Sequence, residues 1–174
     1  NEIKKMYPDS MIILVMSGPF TQRGDASIIN KWDKARIALD NNVDLVIELP
    51  FVFATQGADI FSPGAIEILQ YLKVDKLVFG SESNNIRELK DLAMSALNNK
   101  AYDILVKDYL SKGVNYPTAL SKALSDLNGT IINTPNDLLG LCYIKEIIKQ
   151  KANIEPISIK RTNDYHDKEL KDFI

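Results

Sequence analysis

Four short apolar runs punctuate the chain at wide intervals. Met11 to Met16 lies between Pro8 and Gly18, Leu45 to Leu49 stops at Pro50, and Lys76 to Phe79 stops at Gly80. In Pro156 to Lys160, Ile157 and Ile159 alternate with Ser158. Short runs with β-branched residues, bounded by Gly and Pro, predict strands of a parallel sheet, and the continuous run Met11 to Met16 predicts burial on both faces.

Between the strands the apolar period lengthens to that of a helix. Ile28, Trp32, Ala35 and Leu39 form an inward stripe behind Ser27 as N-cap, with Lys31, Lys34 and Arg36 on the opposite face. Further helices are predicted over Pro63 to Leu72 and over Asn85 to Leu97, the latter with Ile86, Leu89, Ala93 and Ala96 inward. After the break at Asn98, Asn99 and Lys100, Ala101 to Leu110 and Pro117 to Leu127 read as a helical insertion, separated by Gly113, whose freedom at positive φ suits a helix end. The last long helix is predicted to start at Pro135. Thr134 is positioned to cap it, proline is pre-organised for its first position, and Asp137 falls where a capping box places an acid. Leu138, Leu141, Ile144 and Ile148 then face the core, and Cys142 and Trp32 read as core residues as well. Strands alternating with helices predict an α/β fold with a parallel, Rossmann-like sheet and right-handed crossovers.

Composition narrows the class. The 174 residues are 45% hydrophobic and 25% charged, the balance of a soluble globular domain. Met11 to Met16 is too short to cross a bilayer and no signal-peptide pattern opens the chain, so a cytoplasmic protein without membrane contact is expected. A lone cysteine, Cys142, excludes an internal disulfide and a Cys-rich metal cluster. The net charge of −2 lacks the cationic excess of a nucleic-acid-binding domain, so RNA affinity would need another region. Asn1 at one end, with Ile3 and Met6 on one face of a helical turn, and Asp172, Phe173 and Ile174 at the other read as cut ends of an internal fragment.

In an open parallel sheet the ligand lies beyond the carboxyl ends of the strands. The residues there are Ser17 and Gly18 leading into Pro19 to Asp25, then Pro50 and Phe51, then Gly80, Ser81 and Glu82, then Arg161 and Thr162. Gly80 and Ser81 would let the backbone lie against a flat base or sugar, and the same pair serves equally as an ordinary turn. Asn136, at the second position of the predicted helix, combines an amide side chain with the positive end of the helix dipole, or is simply a solvated polar residue. Arg161 can hold a phosphate bidentately or pair with Asp164. His166 is the only histidine, so no two-histidine metal site exists here, and its place in Tyr165-His166-Asp167 fits an acid/base pair or an exposed loop. The Ser17 to Asp25 loop suits a ligand-facing lid but is neither a P-loop nor a G-x-G-x-x-G fingerprint.

Taken together, Val15 to Gly24, Lys31-Trp32, Val43 to Phe51, Phe79-Gly80-Ser81-Glu82, Gly113 to Pro117, Pro135-Asn136-Asp137 with Leu139-Gly140, and Arg161 with Tyr165-His166-Asp167 resemble the bacterial tRNA(Met) cytidine acetate ligase family. The resemblance covers nearly the whole chain. It implies a nucleotidyltransferase-like fold that uses ATP, with Mg²⁺, to activate acetate as acetyl-adenylate and then acetylates the wobble cytidine of elongator tRNA(Met). Gly80, Asn136 and Arg161 are the ATP-binding positions it implies, with Ser17, Gly18, Ser81 and Thr162 as further candidates. The family's H-x-G-H motif is absent, so no catalytic histidine is assigned, and a motif and carboxyl-terminal region expected beyond Ile174 are absent as well. Residues 1–174 are therefore expected to be a catalytic domain without its first strand or its C-terminal extension, inactive alone. Another adenylyltransferase of the same superfamily, or a non-catalytic nucleotide- or tRNA-binding module, remains an alternative.

Overall fold

The computed structural model describes residues 2–161. They form two compact units, residues 2–75 with Glu146–Ile154, and Lys76–Lys145 with residues 155–161. Each is built on a pair of parallel strands.

The first unit opens on α1 (Glu2–Met6) and pairs β1 (Ile13–Ser17) with β2 (Leu45–Leu49), in a register from Ile13 opposite Leu45 to Ser17 opposite Leu49. Asp44 fixes the entry to both strands. Its carboxylate accepts from the Ile12 backbone N–H at 2.7 Å and from Lys4 Nζ at 3.4 Å, and the Ile12 amide above all holds it below the ordinary aspartate value. The strands are parallel as expected, but β1 is half-buried along its length rather than buried on both faces. Among the described residues each strand has a single pairing partner.

The crossover helix α2 (Lys31–Asp40) starts later than its sequence predicts. Asn30, not Ser27, is the N-cap, its side chain accepting from Asp33 N at 2.9 Å. Ser27 instead donates its N–H to Pro19 O at 2.8 Å. Ile28 therefore falls outside the helix and loses its phase with the stripe, and Trp32 is 72% and Leu39 48% exposed rather than core. The inward face carries Lys34, Ala35 and Ala38 instead, all half-buried.

Two helices complete this unit, α3 (Phe51–Ala54) and α4 (Ala58–Tyr71). The second begins ahead of the predicted Pro63, which sits inside it and costs it one internal hydrogen bond. Gly64 lets α4 approach α3, because a Cβ there would lie 2.5 Å from Phe53 Cγ.

In the second unit β3 (Lys76–Ser81) pairs with β4 (Glu155–Lys160), from Lys76 opposite Glu155 to Ser81 opposite Lys160. The strand β3 thus continues through Gly80 and Ser81, which sequence alone places in a following turn. Three helices follow it, α5 (Ile86–Asn98), α6 (Lys100–Ser111) and α7 (Tyr116–Asn128), capped by the side chains of Asn85, Asn99 and Asn115. Their buried faces carry Leu89, Leu92, Ala93 and Ala96, then Tyr102 and Val106, then Ala119, Leu120, Ala123 and Leu124. Gly113, between α6 and α7, adopts φ 79° as its helix-end position requires.

The helix α8 (Pro135–Lys149) starts at the predicted proline and buries Leu138, Leu141, Cys142 and Ile144. No helix among the described residues is long and apolar enough to cross a membrane.

Candidate functional site

The end of β3 and the first turn of α8 are locked together by two carboxylates. Asp137, 4% exposed, accepts from Ser81 Oγ through one oxygen, and through the other from Ser83 N at 3.0 Å and Thr134 Oγ1 at 2.8 Å. Burial works to raise its carboxyl, but the bonds from Ser81, Thr134 and Ser83 outweigh it and hold the group below the ordinary aspartate value. Glu82 reaches the same turn from the other side, its Oε1 accepting from Asn136 Nδ2 at 2.6 Å and its Oε2 from Asp137 N at 3.1 Å. Thr134 does sit at the cap position. However, the expected capping box is rearranged, since Glu82 of another element satisfies the Asp137 amide while the Asp137 side chain turns away to the β3 end.

This network brings four of the sequence-predicted residues, Gly80, Ser81, Asn136 and Arg161, to one edge. Ser81 is fully buried, and its hydroxyl also accepts from Asn84 N at 2.8 Å. Gly80 lies beneath Arg161, where a Cβ would stand 3.2 Å from Cγ and 3.5 Å from Cδ of that side chain. Arg161 N donates to Ser81 O at 3.0 Å, extending the β3–β4 ladder by one bond, and its exposed side chain folds back over Gly80. Asn136 is half-buried, anchored through its amide nitrogen. Gly80, Asn136 and Arg161 are thus joined through Glu82, Ser81 and the β4 end; the pocket of about 290 Å³ whose lining includes Glu82, Ser83, Glu88, Thr134 and Asp137 is lined by none of the three.

Glu82 was the residue that sequence reasoning did not assign. Its only signal was its place directly after the Gly80-Ser81 pair.

Ser17 and Gly18 belong to the first unit. Both of their carbonyls accept from Lys34 Nζ, at 2.9 and 2.6 Å, so a cation from α2 closes the carboxyl end of β1. The Glu48 carboxylate, paired with Lys31 at 2.7 Å, lies over Gly18, its Oε1 2.1 Å from where a Cβ would stand. The loop beyond is a closed turn, with Phe20 bridged to Ala26, Thr21 N bonded to Asp25 O at 2.8 Å and Gly24 at φ 84°. Thr162, Asp164 and the Tyr165-His166-Asp167 triplet lie outside the described residues. Among those described, no cluster of His, Cys, Asp or Glu is arranged to hold a metal ion.

This arrangement brings an amide at Asn136 and a guanidinium at Arg161, lying over Gly80, to one edge, which suits a polar ligand with its phosphates toward the arginine. Comparison with known proteins bears on the same point. The family model described as HIGH Nucleotidyl Transferase matches residues 1–174. A tRNA(Met) cytidine acetate ligase of Geobacillus sp. is 42% identical over 171 residues, 96% of this chain and 43% of that protein. The crystal structure of Thermotoga maritima TmcAL bound with alpha-thio ATP superposes with a TM-score of 0.82 at 37% identity, covering 93% of this chain and 42% of that one. The apo form of the same protein gives 0.85 at 36% identity, covering 98% and 43%. The chain spans less than half the length of these relatives, yet the parallel α/β fold and the family match extend across it. The chain belongs to the HIGH nucleotidyl transferase family.

Proposed function

We propose that this chain is the nucleotide-binding part of an ATP-dependent tRNA(Met) cytidine acetate ligase, and that Gly80, Asn136 and Arg161 bind its ATP. The observation that carries the reading is the locked edge of β3, β4 and α8, where these residues meet through Glu82 and Ser81. In support, a relative named for this activity is 42% identical over nearly the whole chain, and a neighbour of the same fold is bound with alpha-thio ATP.

In this reading acetate attacks the α-phosphorus of ATP and pyrophosphate leaves; the amino group of the wobble cytidine of elongator tRNA(Met) then takes the acetyl group from the resulting acetyl-adenylate, and AMP leaves. The protein's part is positional and electrostatic. Gly80 gives the nucleoside a surface without a side chain, Asn136 reads a polar group of the base or ribose, and Arg161 neutralises phosphate charge. Mg²⁺ carried on the nucleotide would supply further charge neutralisation on the phosphates. The chain has one histidine, so the H-x-G-H histidines, together with the tRNA-gripping region, are assigned to parts of the protein outside residues 1–174. Cytoplasmic location follows from the same reading.

The test is to supply the full-length protein with ATP, labelled acetate and tRNA(Met). Pyrophosphate release with label in the tRNA is expected, and ATP binding without either product would refute the ligase reading. Arg161→Ala in that protein is expected to lower kcat/KM for ATP by about ten- to a hundredfold, the worth of a charge-assisted phosphate contact. Unchanged kinetics would remove Arg161 from the site. Gly80→Val is expected to abolish detectable ATP binding, by filling the surface above the strand end and displacing the Arg161 stem. Isothermal titration decides it, and retained affinity would move the nucleoside elsewhere.

A further inference from the structure

We infer that Glu82 sets the hydrogen-bonding polarity of Asn136, so that the site reads a hydrogen-bond donor on the base and selects adenine over a 6-oxo purine. The inference rests on Asn136 facing the nucleotide, as proposed above.

An asparagine amide has two ends of nearly equal shape and opposite polarity, and its partner decides which one faces a ligand. Both oxygens of Glu82 are committed to the first turn of α8, Oε1 to Asn136 Nδ2 at 2.6 Å and Oε2 to Asp137 N at 3.1 Å. A carboxylate only accepts. Were Asn136 turned over, its Oδ1 would face Glu82 Oε1, acceptor against acceptor at hydrogen-bond distance. The amino end is therefore held inward, and the carbonyl oxygen is the end left for a ligand.

The clamp is pre-organised rather than formed by ligand. The Glu82 carbonyl accepts from Lys160 Nζ, and its neighbours Ser81 and Ser83 are both tied to Asp137. Those anchors fix the Glu82 backbone beside α8, and its carboxylate is held there by its own two bonds, to Asn136 Nδ2 and Asp137 N.

Adenine carries an exocyclic amino group, a donor, at the position where hypoxanthine and guanine carry an oxygen. An outward Asn136 Oδ1 accepts from the first and opposes the second. Ribose hydroxyls both donate and accept, so an amide facing the sugar would tolerate either orientation. The polarity set by Glu82 has a consequence for specificity only at the base. Glu82 is accordingly a positioning residue, acting on the nucleotide through Asn136.

The test is equilibrium binding of ATP, ITP, 2′-deoxy-ATP and 3′-deoxy-ATP to the full-length protein and to Glu82→Gln and Asn136→Ala. Glutamine keeps an oxygen for the Asp137 amide but offers an NH₂ to Asn136 Oδ1, letting the Asn136 amide turn over without loss of fold. Wild-type protein is expected to bind ATP about tenfold more tightly than ITP. Glu82→Gln is expected to equalise or invert that preference, and Asn136→Ala to bind both nucleotides alike. A purely structural role for Glu82 would lower both affinities together and leave their ratio unchanged, which overturns the inference. So does equal binding of ATP and ITP by wild type, or discrimination confined to the deoxy analogues. Wild-type protein that binds none of the four would overturn the ATP reading itself and this inference with it.

Discussion

Asp137→Ala is expected to destabilise the unit built on β3 and β4 by about 3 kcal/mol, because it strands several buried or half-buried donors at once. The carboxylate is 4% exposed and accepts from Ser81, Ser83 and Thr134. Losing it leaves the fully buried Ser81 hydroxyl without its acceptor and releases the turn that carries Glu82. Two readouts should therefore move together. The midpoint of chemical denaturation falls, and ATP affinity falls even in variant protein that remains folded, because Glu82 no longer holds Asn136. A denaturation midpoint within error of wild type would show that the network contributes nothing to stability.

The isosteric Asp137→Asn adds a pH test. The folded protein holds this carboxyl below the ordinary value of 3.8, so folding favours its ionised form. The resulting stabilisation is fully present above that value and is lost as pH falls through the lower folded value. The stability difference between wild type and Asp137→Asn should be constant around neutrality and shrink in the acid range below pH 3.8. A difference that widens there would mean that burial, not the three hydrogen bonds, dominates the group's titration.

Elements whose signals are local were legible in the sequence. Thr134-Pro135 marks the start of α8 correctly because proline's fixed φ and missing N–H suit a first helical position in any surroundings. The strand Leu45 to Leu49 is bounded by Pro50, and its predicted and observed ends coincide. Where two residues compete for one role, local chemistry is insufficient. Ser27 and Asn30 are both competent caps, and the choice falls to Asn30 because Ser27 N is already closing the loop onto Pro19. That shift carried the predicted core stripe of Ile28, Trp32 and Leu39 to the surface. The site shows the same division. That Gly80, Asn136 and Arg161 lie at strand and helix ends could be read from the sequence, but the residue that joins them could not. Glu82 meets Asn136 across 54 positions of sequence, and nothing local distinguishes it from a solvated glutamate after a strand. Its partner emerges only when β3 and α8 are side by side.

Gly140→Leu is expected to cost about 3 kcal/mol or more, and Gly140→Ala a net 1–2 kcal/mol, roughly the upper range of overpacking less the helix-propensity gain of replacing glycine. The reason is the ring of Phe79. A Cβ at Gly140 would stand 2.4 Å from Phe79 Cε2 and 3.0 Å from Cζ, well inside contact distance for a rigid aromatic ring that also packs on Tyr143 with centroids 5.9 Å apart. An alanine in a helix interior ordinarily stabilises by about 1 kcal/mol relative to glycine, so the sign of the measured change separates propensity from packing. The ring has to move, and Phe79 immediately precedes Gly80, so the nucleotide surface moves with it. Gly140→Ala should therefore weaken ATP binding through Phe79, although the residue lies a full turn along α8 from Asn136. A double-mutant cycle tests the cause directly. Combining Gly140→Ala with Phe79→Leu should cost less than the sum of the single changes, because the smaller side chain vacates the space that the new methyl group needs. If the two changes add instead, the glycine is required for something other than the approach of α8 to β3.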